Sequence, residues 1–279
     1  MKKRKAKTIS DNITWLSENN KILRDIENNV IHEAAKFALD GKQYISATEA
    51  HEVFLSLCGE NYTLSLFAEF CEALTHISVA ESTETQKLAP VSTVYVRNQL
   101  TDKAYETFAN NYNGLRAYYS HDFKSACEDV YYDRSDSCIM PLENSSDGLL
   151  MPFRNMLIKY ELKIAAVTEV ISGEDSVQSL ALVTGRDIDI DGNVLEAYLP
   201  AVRQYELISL GAAVKQIGCD IVRVTSVESL EESLYDYHIC FTSDRNSLYI
   251  LKYFLNGKYP AHIILGQYKN QFKKGISRK

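Results

Sequence analysis

Residues 138–150 read CIMPLENSSDGLL and carry the clearest structural signal in the chain. An apolar strand runs into a proline, then into the polar triplet Glu-Asn-Ser at residues 143–145, and then into Gly148. In open α/β folds the ends of the strands carry the polar groups that bind small anionic ligands. The stretch therefore predicts a strand that ends at a ligand site. The alternative is a simple strand-to-helix turn, in which Asn144 or Ser145 caps the next helix.

The composition indicates a globular protein without a nucleic-acid or membrane partner. The chain has 279 residues, of which 46% are hydrophobic and 24% are charged, and this length suggests two or three domains. A net charge of −7 disfavours nucleic acid as a general partner. No apolar run reaches the length of a membrane-spanning helix. The six cysteines are scattered without a Cys-x-x-Cys pair, which predicts free thiols in a reducing cytoplasm.

The sequence predicts no cofactor and no metal site. It contains neither a phosphate-binding loop nor a dinucleotide fingerprint, and its six histidines lack the spacing of metal ligands. The acidic run at residues 187–192 has the composition of a calcium loop but lacks the bidentate glutamate of such loops. We therefore expect an acidic turn at this position.

Three segments follow one another along the chain. Residues 1–88 show helical periodicity and end in a polar linker. The apolar face predicted for the first helix consists of Ile22, Leu23, Ile26, Val30, Ala34 and Phe37. Residues 89–192 alternate strand and helix, which predicts a partly parallel sheet covered by helices. Residues 193–279 show the order β-α-β-β-α-β, which is the ferredoxin-like order. The expected fold class is α/β, or α+β for the chain as a whole.

In this order the segments resemble the bifunctional chorismate mutase/prephenate dehydratase family. The motif Pro-Ile-Glu-Asn-Ser-x-x-Gly of prephenate dehydratases is similar to residues 141–148, PLENSSDG. The resemblance implies a periplasmic-binding-protein-type α/β domain in residues 89–192. It also implies conversion of prephenate to phenylpyruvate, with loss of carbon dioxide and water, in L-phenylalanine biosynthesis. It assigns Glu143, Asn144 and Ser145 to substrate binding.

The other catalytic motifs of the family are degraded in this chain. The glycine-rich loop after the first strand is replaced by residues without glycine, where Thr101 keeps a hydroxyl and Arg97 could pair with a substrate carboxylate. The alternative for Arg97 is an exposed loop residue. By position Ser179 replaces the threonine of the catalytic Thr-Arg-Phe motif, so Ser179 and Thr101 are the catalytic candidates. Only residues 172–178 lie where the family inserts a second lobe, which predicts that this lobe is absent.

Residues 41–46, GKQYIS, and the following residues 49–54 resemble the join between the first and second helices of a chorismate mutase. Residues 44–86 contain no lysine or arginine but several glutamates, and such a surface would repel a dicarboxylate substrate. The same lack of cations argues against a DNA-binding helix-turn-helix. A helical dimerisation module is therefore the favoured interpretation over a mutase.

The carboxy-terminal segment resembles an ACT domain. Residues 221–229, IVRVTSVES, are similar to the strand that ends in Ile-Glu-Ser-Arg-Pro in the family. The resemblance implies an effector site for L-phenylalanine at Glu228 and Ser229, and a homodimer formed by pairing across sheet edges. The alternative for Glu228 is a plain exposed carboxylate at a strand end.

The sequence leaves three interpretations open, which are the two functions below and a structural remnant without a ligand. The first is a shortened prephenate dehydratase, a lyase whose activity is weak or lost. The second is a non-catalytic sensor of an aromatic amino acid, or a regulatory subunit of a partner enzyme in the aromatic pathway, acting through the ACT-like segment. In both cases the expected ligand is a small molecule that resembles prephenate or L-phenylalanine.

Overall fold

The structure is a computed structural model. It describes residues 21–22, 24–60, 62–77, 89–172, 176–186, 192–228 and 234–269. The predicted polar linker and residues 187–191 of the predicted acidic turn lie outside these described residues. The chain divides into two compact units, Met1–Ser82 with Ile250–Pro260, and Thr83–Tyr249 with Ala261–Lys279. The division into segments 1–88, 89–192 and 193–279 stays a prediction.

The described residues form eight helices and ten strands. The helices are α1 (residues 24–39), α2 (Ala47–Cys58), α3 (Leu64–Ile77), α4 (Gln99–Asn111), α5 (Phe123–Tyr131), α6 (Met151–Lys159), α7 (Gln204–Gln216) and α8 (Arg245–Lys258). The strands are β1 (Ser92–Val96), β2 (Arg116–Ser120), β3 (Ser137–Asn144), β4 (Gly148–Leu149), β5 (Lys163–Ser172), β6 (Ser176–Thr184), β7 (Val194–Arg203), β8 (Asp220–Glu228), β9 (Leu234–Thr242) and β10 (Ile263–Tyr268). None of the described helices is both long and apolar enough to span a bilayer.

The first unit is helical and contains α1, α2, α3 and the second half of α8. Helix α2 begins at a serine cap, because the Ser46 hydroxyl accepts a hydrogen bond of 3.2 Å from the Glu49 backbone nitrogen. Phe67 of α3 is fully buried, and its ring centroid lies 5.5 Å from that of Phe254. Packing of aromatic side chains between the helices therefore stabilises this unit.

Helix α1 buries a different stripe from the one that its apolar periodicity predicts. The predicted face includes Ile26, Val30 and Phe37, which are all more than half exposed. Ile31 and Ala35 are buried instead. Neighbouring stripes of a helix share the same spacing, so the periodicity identifies the helix but does not select its buried face.

The second unit contains a mixed sheet with helices. Among the described strands the order is β2-β1-β3-β6-β5, and β4 pairs with β3. Strand β1 is parallel to β2 and β3, whereas β6 is antiparallel to both β3 and β5. The predicted α/β class is confirmed. Strand β5 ends at Ser172 and β6 begins at Ser176, so only three residues separate these paired strands.

A second sheet in this unit has the order β10-β7-β9-β8, and all of its described pairs are antiparallel. Helix α7 follows β7, and α8 lies between β9 and β10 in the chain. The predicted β-α-β-β-α-β order is therefore confirmed. Its identity as an ACT domain stays a prediction.

The two sheets share one hydrophobic core and touch where β5 meets β10. Val167 and Val183 of the first sheet belong to the same buried cluster as Val194 of the second. A Cβ atom on Gly266 would lie 2.8 Å from the backbone nitrogen of Ile164, so only glycine fits at this contact. This packing fixes the ends of β3 and β6 relative to β7 and β8.

Candidate functional site

A cavity of about 530 Å³ opens where β1 leads into α4, and we call it the first cavity. Its volume is within the range of small-molecule sites. It is lined by Asn98, Gln99, Leu100, Thr101, Lys103, Phe123, Pro141, Phe153, Ile171, Gln178 and Leu180.

The start of α4 is held by a capping box that uses the Thr101 hydroxyl. The Asn98 side-chain oxygen accepts hydrogen bonds from the backbone nitrogens of Leu100 at 2.9 Å and Thr101 at 3.1 Å. The Thr101 hydroxyl accepts from the Asn98 backbone nitrogen at 3.0 Å and donates to the Val96 carbonyl oxygen at 2.7 Å. Thr101 is buried, so its hydroxyl serves the helix start.

The first cavity combines one cation with an aromatic wall. Lys103 is the one charged residue in its described lining, and it stands in the first turns of α4, where the helix dipole also favours an anion. The rings of Phe123 and Phe153 meet edge to face, and their centroids lie 5.0 Å apart. Gln178 adds an amide. This arrangement suits a small carboxylate that carries a ring.

A second cavity, of about 480 Å³, lies between the two sheets of the second unit. Its lining comes from β3, β5, β6 and α6 on one side and from the ferredoxin-like sheet on the other. The lining residues are Leu142, Glu143, Arg154, Val167, Glu169, Ser179, Asn193, Val194, Glu196, Val222, Arg223, Cys240, Thr242 and Tyr268.

Three polar residues form a row across β3, β6 and β5 at this second cavity. Ser179 of β6 pairs with Glu143 of β3 on one side and with Glu169 of β5 on the other. Burial, with a smaller effect of the Glu143 charge, raises the pKa of the Glu169 carboxyl. The row therefore sets a hydroxyl between two carboxylates.

Glu196 is the centre of a buried ion network beside the row. It is 4% exposed and accepts hydrogen bonds from both terminal nitrogens of Arg154 and, at 2.6 Å, from the Tyr268 hydroxyl. Burial alone would raise the pKa of the Glu196 carboxyl, but the Arg154 charge and these hydrogen bonds hold it below its usual value. The carboxylate therefore stays ionised inside the core.

Arg223 contacts two carboxylates and joins the two sheets through one of them, Glu143 of β3. One terminal nitrogen donates to Oε2 of Glu143, and the other lies 3.4 Å from Oε1 of Glu196. Glu143, at the end of β3, is thus paired with an arginine of the ferredoxin-like sheet.

His238 of β9 is buried near these charges. Its Nδ1 has no hydrogen-bond partner among the described residues. Burial, and then the nearby Arg154 charge, lowers the pKa of His238 to about 4. The imidazole is therefore neutral at physiological pH. In the described part of the chain no three His, Cys, Asp or Glu side chains converge on a metal position.

Comparison with known proteins gives structural neighbours only. No protein-family model matches the chain, and no curated protein matches it in sequence. Among solved structures it is similar to a prephenate dehydratase from Streptococcus mutans, with 12% identity over 63% of this chain and 97% of that chain and a TM-score of 0.53. The fold resembles that of prephenate dehydratases. At this identity the likeness concerns the fold alone.

Two further solved structures are similar over comparable spans. A prephenate dehydratase in complex with L-Phe from Arthrobacter aurescens has 14% identity, covers 66% of this chain and 92% of its own, and has a TM-score of 0.50. GqqA, described as a novel type of quorum quenching acylase, has 14% identity, covers 64% of this chain and 95% of its own, and has a TM-score of 0.51.

In this prephenate dehydratase-like fold Asn144 and Ser145 hold a turn. The Asn144 side-chain oxygen accepts from the backbone nitrogen of Ser146 at 3.0 Å, and its amide donates to Asp147 at 2.7 Å. The Ser145 hydroxyl accepts from the Val177 backbone nitrogen at 3.0 Å. Neither residue lines the two cavities described here. The turn connects β3 to β4, and the cap position of α6 lacks a side-chain hydrogen bond, so the helix-cap alternative is wrong.

The structure separates the two catalytic candidates. Thr101 lines the first cavity and Ser179 lines the second. Arg97 is exposed, lies 3.8 Å from Asp102 and stacks over the Tyr119 ring, and it lines neither cavity. Its position is that of the exposed loop residue in the alternative interpretation. Roles of these three residues in catalysis or carboxylate binding stay predictions.

The predicted effector residues lie at the edge of the described chain. Glu228 is the last residue of β8, where its backbone pairs with Tyr235. The side chain of Glu228 and the whole of Ser229 fall outside the described residues, so the effector site stays a prediction.

Sequence reasoning missed the buried charges of Arg154 and Glu196 and the half-buried charge of Arg223. A signal was present, because Glu196 stands alone in the apolar strand VLEAYL and Arg223 stands in IVRVTSV. A charged residue in an otherwise apolar strand needs a partner when it is buried. The partners come from other elements, so the pairs themselves could not be read from the chain.

Proposed function

We propose that the protein binds a small ring-bearing carboxylate of the prephenate or phenylpyruvate class in the first cavity. We also propose that its prephenate dehydratase activity is weak or lost. The link to L-phenylalanine biosynthesis is supported by the fold shared with prephenate dehydratases, one of which is in complex with L-Phe. Binding is supported by Lys103, by the amino-terminal end of α4 and by the aromatic pair Phe123 and Phe153.

The loss of turnover is supported by one observation, the separation of Thr101 and Ser179 into different cavities. A general acid must come within hydrogen-bond reach of the group that it protonates. A substrate in the first cavity would be near Thr101, whose hydroxyl already donates to a backbone carbonyl. The short connection between β5 and β6 also leaves no room there for a lobe that would exclude water.

A second candidate is a sensor of an aromatic amino acid that acts through the ferredoxin-like sheet. The β-α-β-β-α-β order favours it, as does the complex with L-Phe of the neighbour from Arthrobacter aurescens. In this version Glu228 and Ser229 bind the effector. The protein then works as a homodimer or as the regulatory partner of an enzyme in the aromatic pathway.

Titration calorimetry with phenylpyruvate at pH 7.5 tests the carboxylate site. We expect saturable binding that weakens about tenfold in Lys103→Gln, because a charge-assisted contact is lost. The control Lys159→Gln removes an exposed lysine at the end of α6 and should leave the affinity unchanged. No saturable binding, or equal affinity in Lys103→Gln, would reject the proposed site. Binding of L-phenylalanine that Lys103→Gln leaves intact would favour the sensor.

A further inference from the structure

The second cavity has no part in the carboxylate binding proposed above. It shares no lining residue with the first cavity, although Gln178 and Ser179 are neighbours in β6. Gln178 lines the first cavity and Ser179 lines the second. A ligand of the second cavity would therefore contact the same strands from a separate site.

The row across β3, β6 and β5 offers hydrogen-bond acceptors that the described residues leave open. Arg223 donates a hydrogen bond to Oε2 of Glu143, and Oε1 of Glu143 has no partner among the described residues. Neither Glu169 nor the Ser179 hydroxyl has a hydrogen-bond partner in the described chain. Side chains directly opposite on neighbouring strands lie about 5 Å apart. Because Glu143 and Glu169 flank Ser179 on the two neighbouring strands, their long side chains can converge over Ser179 on a primary ammonium, whose three N–H groups need three acceptors.

The charges of the lining also favour a cation. The described lining holds three carboxylates, of Glu143, Glu169 and Glu196, against the two guanidinium groups of Arg154 and Arg223. Both guanidinium groups are engaged by Glu143 and Glu196, so Glu169 is the charge left without a counterion. Glu169 is partly exposed at the mouth of the cavity, and partial desolvation, followed by the nearby Glu143 charge, raises the pKa of its carboxyl.

The same side of the cavity carries a buried donor without an acceptor. Arg154 of α6 is 1% exposed and lines the second cavity, yet its Nε has no hydrogen-bond partner in the described chain. A buried donor without an acceptor is costly, so a bound water is expected beside it. The remaining wall is apolar and includes Leu142, Val167 and Val194.

We propose that the second cavity binds a small primary amine with an apolar body. Its ammonium group sits on Glu143, Ser179 and Glu169, and its apolar body lies against Leu142 and Val167. The ammonium neutralises Glu169 and shares Glu143 with Arg223. Occupancy of the cavity would therefore act on the arginine that joins the two sheets.

Titration calorimetry of the full chain with phenethylamine at pH 7.5 tests this site, with 2-phenylethanol as the matched probe without an ammonium. We expect saturable binding of the amine and none of the alcohol. Glu169→Gln should weaken amine binding about tenfold or more, since a charged acceptor is lost. Glu106→Gln, which removes an exposed glutamate of α4, should leave it unchanged.

Equal binding of amine and alcohol, no binding of the amine, or full affinity in Glu169→Gln would each overturn the proposal. If Glu169→Gln fails to fold by circular dichroism, Ser179→Ala serves instead, with an expected loss of about threefold for one neutral acceptor. Lys103→Gln should not affect the amine. Failure of the amine site and failure of the carboxylate site are therefore distinguished by which variant changes which ligand.

Discussion

Thr101 and Ser179, the two hydroxyl side chains predicted to be catalytic, line different cavities of the second unit. Thr101 is fixed in the capping box of α4, whereas Ser179 stands between Glu143 and Glu169. One substrate in the first cavity would therefore meet only one of the two hydroxyls. This separation leads us to expect binding without efficient turnover.

The buried pair of Arg154 and Glu196 should dominate the stability of the second unit. Arg154→Met leaves a buried carboxylate with weaker compensation, and we expect it to lower the free energy of unfolding by about 3–5 kcal/mol. The control Arg134→Met breaks the more exposed pair with Asp129 and should cost about 0–1 kcal/mol. Urea unfolding followed by circular dichroism measures both. Equal losses of unfolding free energy in Arg154→Met and Arg134→Met would show that the buried pair stabilises the fold no more than the exposed pair.

Stability should fall as the pH drops below the ordinary pKa of histidine. The folded pKa of His238 is lowered from 6.5 to about 4, so between these values the unfolded chain binds a proton that the folded chain does not. The free energy of unfolding therefore falls by up to about 3 kcal/mol as the pH drops from 6.5 to about 4. Because the pKa of Glu196 is also lowered, this residue lowers the stability further, but only below pH 4.5, the ordinary pKa of a glutamate. Urea midpoints at pH 7.5, 6 and 5 measure the trend.

Substitution of His238 isolates this effect. His238→Gln should flatten the decline between pH 7.5 and 5, because the titrating group is removed. His121→Gln changes an exposed histidine and should keep the full decline. A decline in His238→Gln as steep as that of the unchanged protein would assign the effect to other groups.

The close contact of the two sheets should tolerate no side chain at Gly266. Gly266→Ala adds a methyl group that overlaps the Ile164 backbone, and we expect it to lower stability by roughly 1–3 kcal/mol. Gly211→Ala, inside α7, adds a Cβ with no neighbour within 4 Å and should raise stability by roughly 0.5–1 kcal/mol. Thermal unfolding of the two variants gives the comparison. A neutral Gly266→Ala would mean that the sheets pack less closely.

Asn144 should act on stability rather than on ligand affinity. Asn144→Ala removes the side-chain hydrogen bonds that hold the turn between β3 and β4, with an expected loss of about 1 kcal/mol. Phenylpyruvate should bind the variant as it binds the unchanged protein. Calorimetry checks this, and a variant that folds but no longer binds would restore the substrate-binding role that the family resemblance implies.

Much of the fold could be predicted from local pattern. The strand through residues 138–144 and the β-α-β-β-α-β order depend on apolar runs and turn residues that lie close together in the chain. The buried face of α1 could not be chosen, because Ile31 and Val30 belong to stripes with the same spacing.

The candidate site was predicted less well, because it depends on contacts between distant residues. Arg223 and Glu143 are 80 residues apart, and nothing near either residue in the chain indicates the other. The motif residues Asn144 and Ser145 were identified correctly as polar groups at a strand end. Whether such groups face a ligand or hold their own turn depends on the partner strand, here at Val177.

The most direct test of the account is the turnover of prephenate by the full chain. Phenylpyruvate is read by its absorbance in alkali at intervals, and the rate is compared with that of prephenate alone and with the Ser179→Ala variant. We expect a rate close to the spontaneous one and no difference in the variant. A rate far above the spontaneous one that Ser179→Ala abolishes would show that the two cavities cooperate in catalysis, and the proposed loss of activity would then be wrong.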